Sequence, residues 1–402
     1  MKRRRVKITG VGPVTPAGVG REAFWQGILE PVSYVRRFEK LGEEYGPLVA
    51  AHIDRFNVAK FVDRDRLPKG IGRHTQFAVA GAVLALQDSG LTETELETRD
   101  CLVVTGSSLM DFGGISNSTY AVYSRGPQAA LPRTIFTTTN ANVTEAVSRA
   151  LNIAPRTMTL QNSCCSGLDA IGYAAGVIAR GEAEIAICGG TEAPLHRCPL
   201  LELRAAGLTP PTVETPERLA RPFDLWRTTG VVSEGACMFV LEAESSPRPG
   251  YSFVSGYAVA NDPVGEVCGG LVEAANLALA DSRMKAERVD AINAWGPGHR
   301  QIDAGEADAM RRVFGGMLGE IPVLSIKGAI GSALGAAPAI QIGVAALAQR
   351  HGVVPATVNW QYPDPACAFN VHGRPRAVDH AVTLVNAHGV GNVNSCMILE
   401  RC

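Results

Sequence analysis

The chain has 402 residues, a length that gives a prior of about two to three domain-sized units. Hydrophobic residues make up 46% and charged residues 19% of the composition, which excludes the polar, highly charged class of disordered chains. The formal net charge of -1 excludes a general attraction to nucleic acid or to anionic lipid, so neither is expected as a partner.

Strand-like segments that end in glycine or serine alternate with helical segments in the first half of the chain. Strands are predicted at residues 4–12, 101–108 and 184–190, and a helix at 75–89 has apolar residues at helical spacing. The succession of strand, glycine turn and helix is typical of an α/β fold.

The second half repeats this pattern. Its predicted elements are strands at residues 251–259, 289–295, 322–327 and 381–387 and a helix at 332–350. The polar, proline-containing segment 241–250 separates the halves. We therefore predict two halves, residues 1–245 and 246–402, that are copies of one α/β unit.

Cysteine usage and the apolar segments predict the compartment. Ten cysteines occur without any Cys-x-x-Cys pair, which indicates reduced thiols, most of them buried. The basic start MKRRR is followed by Lys7, glycine and proline, so it is not a secretory signal. Residues 328–349 lack charge, but they are rich in Ala and Gly and contain Pro338, which favours a buried helix over a membrane span. A cytoplasmic protein without a membrane segment is expected.

Several nucleotide and metal motifs do not occur in the sequence. Pro13 interrupts the glycine pattern after the first strand, so the dinucleotide fingerprint is not formed. The chain also has no P-loop, no His-Glu-x-x-His and no Gly-x-Ser-x-Gly, and its histidines show no ligand spacing. We expect no metal and no cofactor.

Cys164 is the cysteine with a predicted chemical role. It lies in NSCCSGLDAIGYA, residues 162–174, which is predicted to run from a strand end through a sharp turn into a helix. Free backbone N–H groups and the helix dipole are expected to lower the pKa of a thiol at a helix start, which suits an acyl-accepting nucleophile. A structural cysteine is the alternative. A disulfide between Cys164 and Cys165 is disfavoured in a reducing compartment.

Six blocks, in order along nearly the whole chain, resemble the β-ketoacyl synthases, the condensing enzymes of fatty acid and type II polyketide synthesis. They are ITGVGPVTPAGVGREAFW (8–25), NSCCSGLDAIGYA (162–174), RPFDLWRTTGVVSEGACMFVLE (221–242), NAWGPGHRQIDAGEADAMRRVFG (293–315), SIKGAIGSALGAAPA (325–339) and NAHGVGNVNS (386–395). The resemblance implies a thiolase-like α/β fold, in which duplicated βαβαβαββ units form five layers, α-β-α-β-α. It also identifies Cys164, three residues before Gly167, as the nucleophile.

The sequence departs from the family at the two histidines that, with the cysteine, carry decarboxylation. By resemblance these positions are Trp295 and Ser332, whereas the family's lysine is present as Lys327. An indole N–H can only donate a hydrogen bond, and a serine hydroxyl is not a base near neutral pH, so ordinary malonyl decarboxylation is not expected. For Lys327 the resemblance implies structural or electrostatic support of the site.

Four further positions of the acyl pocket differ from the family. By resemblance, two threonines that bind the carrier's pantetheine arm are replaced by Pro297 and His299, and two gating phenylalanines by Gly230 and Val390. The loss of two aromatic side chains is expected to widen the pocket and its entrance. The backbone N–H groups of Cys164 and Val390 are expected to form an oxyanion hole, since this needs no particular side chain.

Two histidines are candidates for a base beside Cys164. His388 stands where the last block of the family has phenylalanine, and His299 lies in the fourth block. A structural histidine is the alternative for both. Glu306 and Asp308 are two positions apart at a predicted helix start, where capping and dipole pairing explain them better than acid–base chemistry.

Three functions are compatible with the sequence. The first is an acyltransferase of the 3-oxoacyl-[acyl-carrier-protein] synthase type that takes an acyl group onto Cys164 from a carrier-protein or coenzyme A thioester. The second is a chain-length-factor-like subunit that pairs with an active ketosynthase, although such factors generally lack the cysteine. The third is an acyl-binding protein without catalysis. A homodimer or a heterodimer with a ketosynthase is expected in each case.

Overall fold

The computed structural model describes residues 3–41 and 48–402, so the first two residues of the basic start lie outside the described residues. The strands in this part of the chain are β1 (Val6–Thr15), β2 (Gly18–Val19), β3 (Val35–Arg37), β4 (Val49–Ala51), β5 (Cys101–Gly106), β6 (Arg156–Leu160), β7 (Ile185–Glu192), β8 (Gly235–Ala243), β9 (Ser252–Asn261), β10 (Ala291–Asn293), β11 (Pro322–Leu324), β12 (Val353–Val354), β13 (Asn370–Val371), β14 (Arg376–Ala377), β15 (Val382–Gly389) and β16 (Val393–Arg401). The helices are α1 (Arg21–Leu29), α2 (Arg73–Ser89), α3 (Glu93–Thr98), α4 (Phe112–Arg125), α5 (Thr134–Thr137), α6 (Ala141–Ala150), α7 (Ser166–Ala179), α8 (Arg197–Ala205), α9 (Gly270–Ser282), α10 (Arg300–Phe314), α11 (Lys327–Ile330) and α12 (Ala337–His351).

Two groups of five strands repeat the same order. The first group runs β6-β5-β7-β8-β1 and the second β11-β10-β15-β16-β9, with β13 added beside β11. Within each group, strands can be numbered one to five by their order along the chain. Their order across the sheet is then 3-2-4-5-1 in both groups, which confirms the duplicated unit. A single pair, Lys7 opposite Phe253, joins β1 to β9. The predicted boundary between residues 245 and 246 falls in the connection from β8 to β9.

Three layers of helices enclose the two five-strand sheets. Helices α2 and α6 pack on the outer face of the first sheet, and α9 and α10 pack on the outer face of the second. Helices α7 and α12 lie between the sheets and are apolar on nearly every side, as a helix in the centre of a protein must be. This arrangement confirms the predicted five-layered α-β-α-β-α fold.

Some predicted bounds differ from the observed ones. Strand β11 ends at Leu324 because Lys327 begins the short helix α11, and the helix predicted from residue 332 begins at Ala337. Pro338 lies in the first turn of α12, where its missing N–H breaks no helical hydrogen bond. The uncharged residues 328–349 are thus mostly buried helix. Among the described residues, no helix has the length and apolar character that crossing a membrane requires.

Glycine allows α7 to approach the first sheet closely. A Cβ at Gly106, the last residue of β5, would lie 2.1 Å from the carbonyl oxygen of Ser166 at the start of α7. A Cβ at Gly167 would lie 2.6 Å from the carbonyl oxygen of Gly335. Since Ser166 follows Cys164 by two residues, these contacts set the position of the turn that carries the thiol.

We expect Gly106→Ala to destabilise the protein by about 1–3 kcal/mol, because the new methyl group must push α7 away from β5. Gly316→Ala is the matched control, since no heavy atom lies within 4 Å of a Cβ at that position. Its effect should stay within about 0.5 kcal/mol. Urea unfolding of both variants measures the difference, and an unchanged midpoint for Gly106→Ala would contradict the close approach of α7 to β5 at this position.

Candidate active site

Cys164 lies in the turn between β6 and α7. Ser163, the residue before it, has a φ of 50°, in the left-handed region. The hydroxyl of Ser166 donates to the carbonyl oxygen of Ser163 at 2.6 Å and accepts the N–H of Asn162 at 2.8 Å. These hydrogen bonds hold the unusual backbone of the turn in place. Cys164 itself is only 7% exposed.

Burial raises the pKa of the Cys164 thiol to about 11. Hydrogen bonds from the backbone N–H of Val390 and the hydroxyl of Ser163 lower this pKa, but they do not outweigh the loss of solvation. The prediction of a lowered pKa for this thiol is therefore wrong, because Cys164 is almost fully buried. At neutral pH Cys164 is a thiol and not a thiolate.

A cavity of about 450 Å³ opens over Cys164. Its lining includes all but one of the site residues predicted from the sequence: Cys164, Gly230, Trp295, Pro297, His299, Ser332, His388 and Val390. Lys327 is the exception. Ten of the other thirteen lining residues are apolar, and six of these ten belong to α4, α8 and the loops beside them. The fold thus brings residues from seven separate segments of the chain to one largely apolar site.

The two positions that lack the family's aromatic gates have different surroundings. Val390 is 65% exposed and lies at the rim of the cavity. Gly230 is buried, and a Cβ there would lie 3.0 Å from the carbonyl oxygen of Pro297 and 3.4 Å from its Cβ. Pro297 therefore takes up the room beside Gly230, and the widening expected from the loss of a side chain is offset at this position.

Trp295 and Lys327 form a buried pair beside the cavity. Lys327 Nζ donates to the carbonyl oxygen of Trp295 at 2.5 Å and to Gln341 Oε1 at 2.9 Å, and it lies 3.9 Å from the centre of the indole ring. Burial lowers the pKa of Lys327 to about 7, although the nearby charge of Glu306 opposes the shift. The lysine supports the indole through a cation–π contact, which fits the structural role implied by the family.

Ser332 brings no base to the cavity, whereas His299 brings a neutral imidazole. The backbone of Ser332 is fixed, since its N–H donates to Val231 at 2.7 Å and its carbonyl oxygen accepts from Ser233 at 2.8 Å. His299 precedes α10, and its Nδ1 is buried without a hydrogen-bond partner among the described residues. Burial and the charge of Arg227 lower the pKa of His299, so the ring is neutral at neutral pH.

The sequence suggested that Glu306 caps its own helix, but the structure does not place it there. It lies in the middle of α10, fully buried, and accepts hydrogen bonds from the N–H groups of Trp295 at 2.7 Å and Gly296 at 2.8 Å. Asn386 Nδ2 also donates to it at 3.0 Å. Burial raises the pKa of Glu306. The carboxylate anchors the loop between β10 and α10.

A second buried carboxylate holds the same loop. Asp303 accepts the N–H of Gly298 at 3.0 Å and the N–H of Phe223 at 2.8 Å. Burial raises the pKa of Asp303 to about 7. Asp308, in contrast, is exposed in the middle of α10 and pairs with Arg311, so its predicted position at a helix start is wrong as well.

Glu192 is a residue of the site that the sequence analysis missed. Its buried carboxylate accepts hydrogen bonds from the N–H of Ser108 at 2.7 Å, the hydroxyl of Ser107 at 3.1 Å and the N–H of Gly335 at 3.3 Å. Burial raises the pKa of Glu192 to about 7, and its charge contributes to the high pKa of Cys164. A sequence signal exists, since this glutamate ends the otherwise uncharged strand β7.

His388 lines the cavity from the end of β15. Its Nδ1 lies 2.9 Å from Asn394 Oδ1 on the neighbouring strand β16. The hydrogen bonds that reach the Cys164 sulfur come from Ser163 and from the backbone of Val390. The sequence-based pairing of His388 with Cys164 stays a prediction.

Comparison with known proteins agrees with this architecture. The sequence model of the β-ketoacyl synthase N-terminal domain matches residues 3–246, and that of the C-terminal domain matches residues 251–361. The chain therefore belongs to the β-ketoacyl synthase family, whose members are condensing enzymes.

Relatives from two branches of the family align over the whole chain. The tetracenomycin polyketide synthase ketoacyl synthase alpha subunit of Streptomyces glaucescens is 30% identical, over 99% of this chain and 97% of the relative. The 3-oxoacyl-[acyl-carrier-protein] synthase 2 of Coxiella burnetii is 29% identical, over 100% and 99%. The solved structure of the ishigamide ketosynthase/chain length factor has a TM-score of 0.92 and 28% identity, over 100% of both chains. These similarities confirm the thiolase-like fold.

The carboxyl group of Glu192 makes the free energy of unfolding depend on pH. Because burial raises its pKa from 4.5 to about 7, the folded chain retains a proton that the unfolded chain releases, and this contribution to stability is lost as pH rises between those values. Glu192→Gln lacks this contribution. As pH rises across this interval, its free energy of unfolding should therefore increase by about 3 kcal/mol relative to that of the wild-type protein.

Urea unfolding of Glu192→Gln and wild-type protein at about pH 5 and about pH 7 measures this gain. Asp308→Asn removes one carboxyl group from an exposed position and is the control for the loss of a negative charge. Stability profiles of Glu192→Gln and wild-type protein that stay parallel between these pH values would contradict the high pKa of Glu192.

Proposed function

We propose that the protein is an acyltransferase that takes an acyl group from a thioester onto Cys164. The donor is a thioester of an acyl-carrier protein or of coenzyme A in fatty acid or polyketide biosynthesis, the fields to which its relatives' names belong. The observation that carries this proposal is the Cys164 sulfur, which accepts the N–H of Val390 beside a largely apolar cavity of about 450 Å³. Such a cavity suits an apolar acyl chain.

The backbone N–H groups of Cys164 and Val390 are the proposed oxyanion hole. Charge moves to the carbonyl oxygen of the thioester when the sulfur attacks, and N–H groups already aimed at the reacting atoms stabilise that charge. Gly389 allows the two segments to meet, because a Cβ there would lie 2.9 Å from the Cβ of Ser163. The absence of a side chain at Gly389 thus brings the Val390 N–H within reach of the thiol.

Acyl transfer in this proposal proceeds without decarboxylation of the donor. Trp295 lines the cavity with an indole that contacts Lys327, and Ser332 lines it with a hydroxyl. Neither group is a base or a cation that stabilises the enolate left when carbon dioxide departs. Formation of a thioester on Cys164 needs only the nucleophile, donors to the oxyanion and a path for one proton.

A second candidate function is that of a non-elongating partner of a ketosynthase. The similarity to the ishigamide ketosynthase/chain length factor favours it. Strand β6 offers a surface for such a partner, because it is the outermost strand of the first sheet and Arg156, Thr157 and Met158 are exposed. An open sheet edge readily binds a second chain, so we propose a homodimer or a heterodimer with a ketosynthase.

Incubation with acyl thioesters should add one acyl group to the wild-type protein, because Cys164 is the thiol beside the cavity. The adduct should be lost in Cys164→Ala. It should be kept in Cys165→Ala, because Cys165 is 0% exposed in the wild-type protein. Intact-protein mass spectrometry measures the adduct. With malonyl-carrier protein the wild-type protein should release no more carbon dioxide than Cys164→Ala does.

Two other outcomes would change this assignment. No adduct on the wild-type protein, together with co-purification of a ketosynthase, supports the partner subunit. Release of carbon dioxide by the wild-type protein, but not by Cys164→Ala, contradicts the consequence drawn from Trp295 and Ser332.

A further inference from the structure

A chain of three buried side chains leads away from the cavity. His388 Nδ1 lies 2.9 Å from Asn394 Oδ1, and Asn394 Nδ2 donates to Asp262 Oδ1 at 2.7 Å. Asp262 also accepts the N–H groups of Cys268 at 3.0 Å and Gly270 at 2.8 Å. The side chains of Asn394 and Asp262 are fully buried and that of His388 nearly so, which keeps water from competing for these hydrogen bonds.

The direction of these hydrogen bonds fixes the tautomer of His388. A carboxylate that receives three N–H groups only accepts, so Asn394 must direct its amide nitrogen at Asp262 and its oxygen at His388. The amide oxygen also only accepts, and the proton of a neutral His388 therefore sits on Nδ1. Nε2 consequently keeps a free lone pair, which is the form of imidazole that acts as a base.

Backbone contacts place His388 close to Cys164. His388 lies near the end of β15 and Val390 directly follows that strand, and both residues line the cavity. The N–H of Val390 donates to the Cys164 sulfur, and a Cβ on Gly389 would lie 3.0 Å from the Ser163 hydroxyl. The thiol and the imidazole thus border the same cavity, in which a proton can pass between them directly or through one water molecule.

Cys164 requires such a base. Burial holds its pKa near 11, so that almost no thiolate exists at neutral pH. Trp295 and Ser332 cannot take up its proton. Lys327 already directs its Nζ to the carbonyl oxygen of Trp295 and to Gln341.

We propose that His388 is the catalytic base of acyl transfer and that Asn394 and Asp262 are positioning residues that orient it. As Cys164 attacks the thioester carbonyl, its S–H bond breaks, the proton moves to Nε2 of His388 and the new C–S bond forms. When the tetrahedral intermediate collapses, the C–S bond to the carrier or coenzyme A breaks, and its sulfur leaves with the proton from Nε2. Atoms and charge balance without another reactant. The inference rests on the acyl transfer to Cys164 proposed above.

His388→Asn separates the base from any structural role, because the asparagine amide can still donate to Asn394 but has no counterpart of Nε2. We expect its rate of acylation at Cys164, followed by intact mass after mixing with an acyl-coenzyme A, to fall about 10²- to 10⁴-fold while the melting temperature changes little. Free imidazole should restore acylation of His388→Ala in proportion to its concentration. A residue that only fills space would not respond to imidazole.

Asn394→Ala tests the orientation of His388. The variant retains Nε2 but frees the ring to turn, so we expect a loss of acylation rate smaller than that of His388→Asn and no rescue by imidazole. Acylation of folded His388→Asn at the wild-type rate, or failure of imidazole to rescue His388→Ala, would overturn the role of His388 but not acyl transfer itself. A wild-type protein that is never acylated would overturn acyl transfer itself, and the role of His388 with it.

Discussion

The carboxylate of Glu306 binds two backbone N–H groups of the loop after β10 and the side chain of Asn386 on β15. Through these hydrogen bonds one side chain ties the loop that carries Trp295 to the strand that leads to His388 and Val390. A buried carboxylate without partners costs several kcal/mol, so the loop and the strand must keep the positions that satisfy it. The shape of one wall of the cavity therefore depends on an acidic residue that does not itself line the cavity.

Burial governs the chemistry of Cys164 more strongly than the helix beside it. The turn before α7 is packed between two sheets, and the loss of solvation outweighs the hydrogen bonds of Val390 and Ser163. The thiol is consequently protected from solvent oxidants and general electrophiles. In the proposed reaction it becomes a nucleophile when an acyl thioester occupies the cavity and a neighbouring group accepts its proton.

Local patterns were sufficient to predict the duplicated α/β unit, and the family resemblance added its five layers and most of the cavity. Strand, glycine turn and helix follow one another in both halves, and the blocks around Cys164 and Trp295 lie in short contiguous segments. The anchoring role of Glu306 could not be predicted, since Asn386 is 80 residues away along the chain. Glu192 was missed for the same reason, because Ser108 and Gly335 reach it from 84 and 143 residues away. The pKa of Cys164 likewise depends on packing between elements, which a local pattern does not encode.

The close approach of Gly230 and Pro297 couples the residue types that these two distant positions can hold. A larger side chain at position 230 meets the carbonyl oxygen of Pro297 as well as its ring, so a rotamer change at Pro297 does not make room for it. An aromatic side chain at position 230 therefore requires a shift of the 296–298 loop. Substitutions at these two positions are accordingly expected to have effects that depend on the order in which they are made.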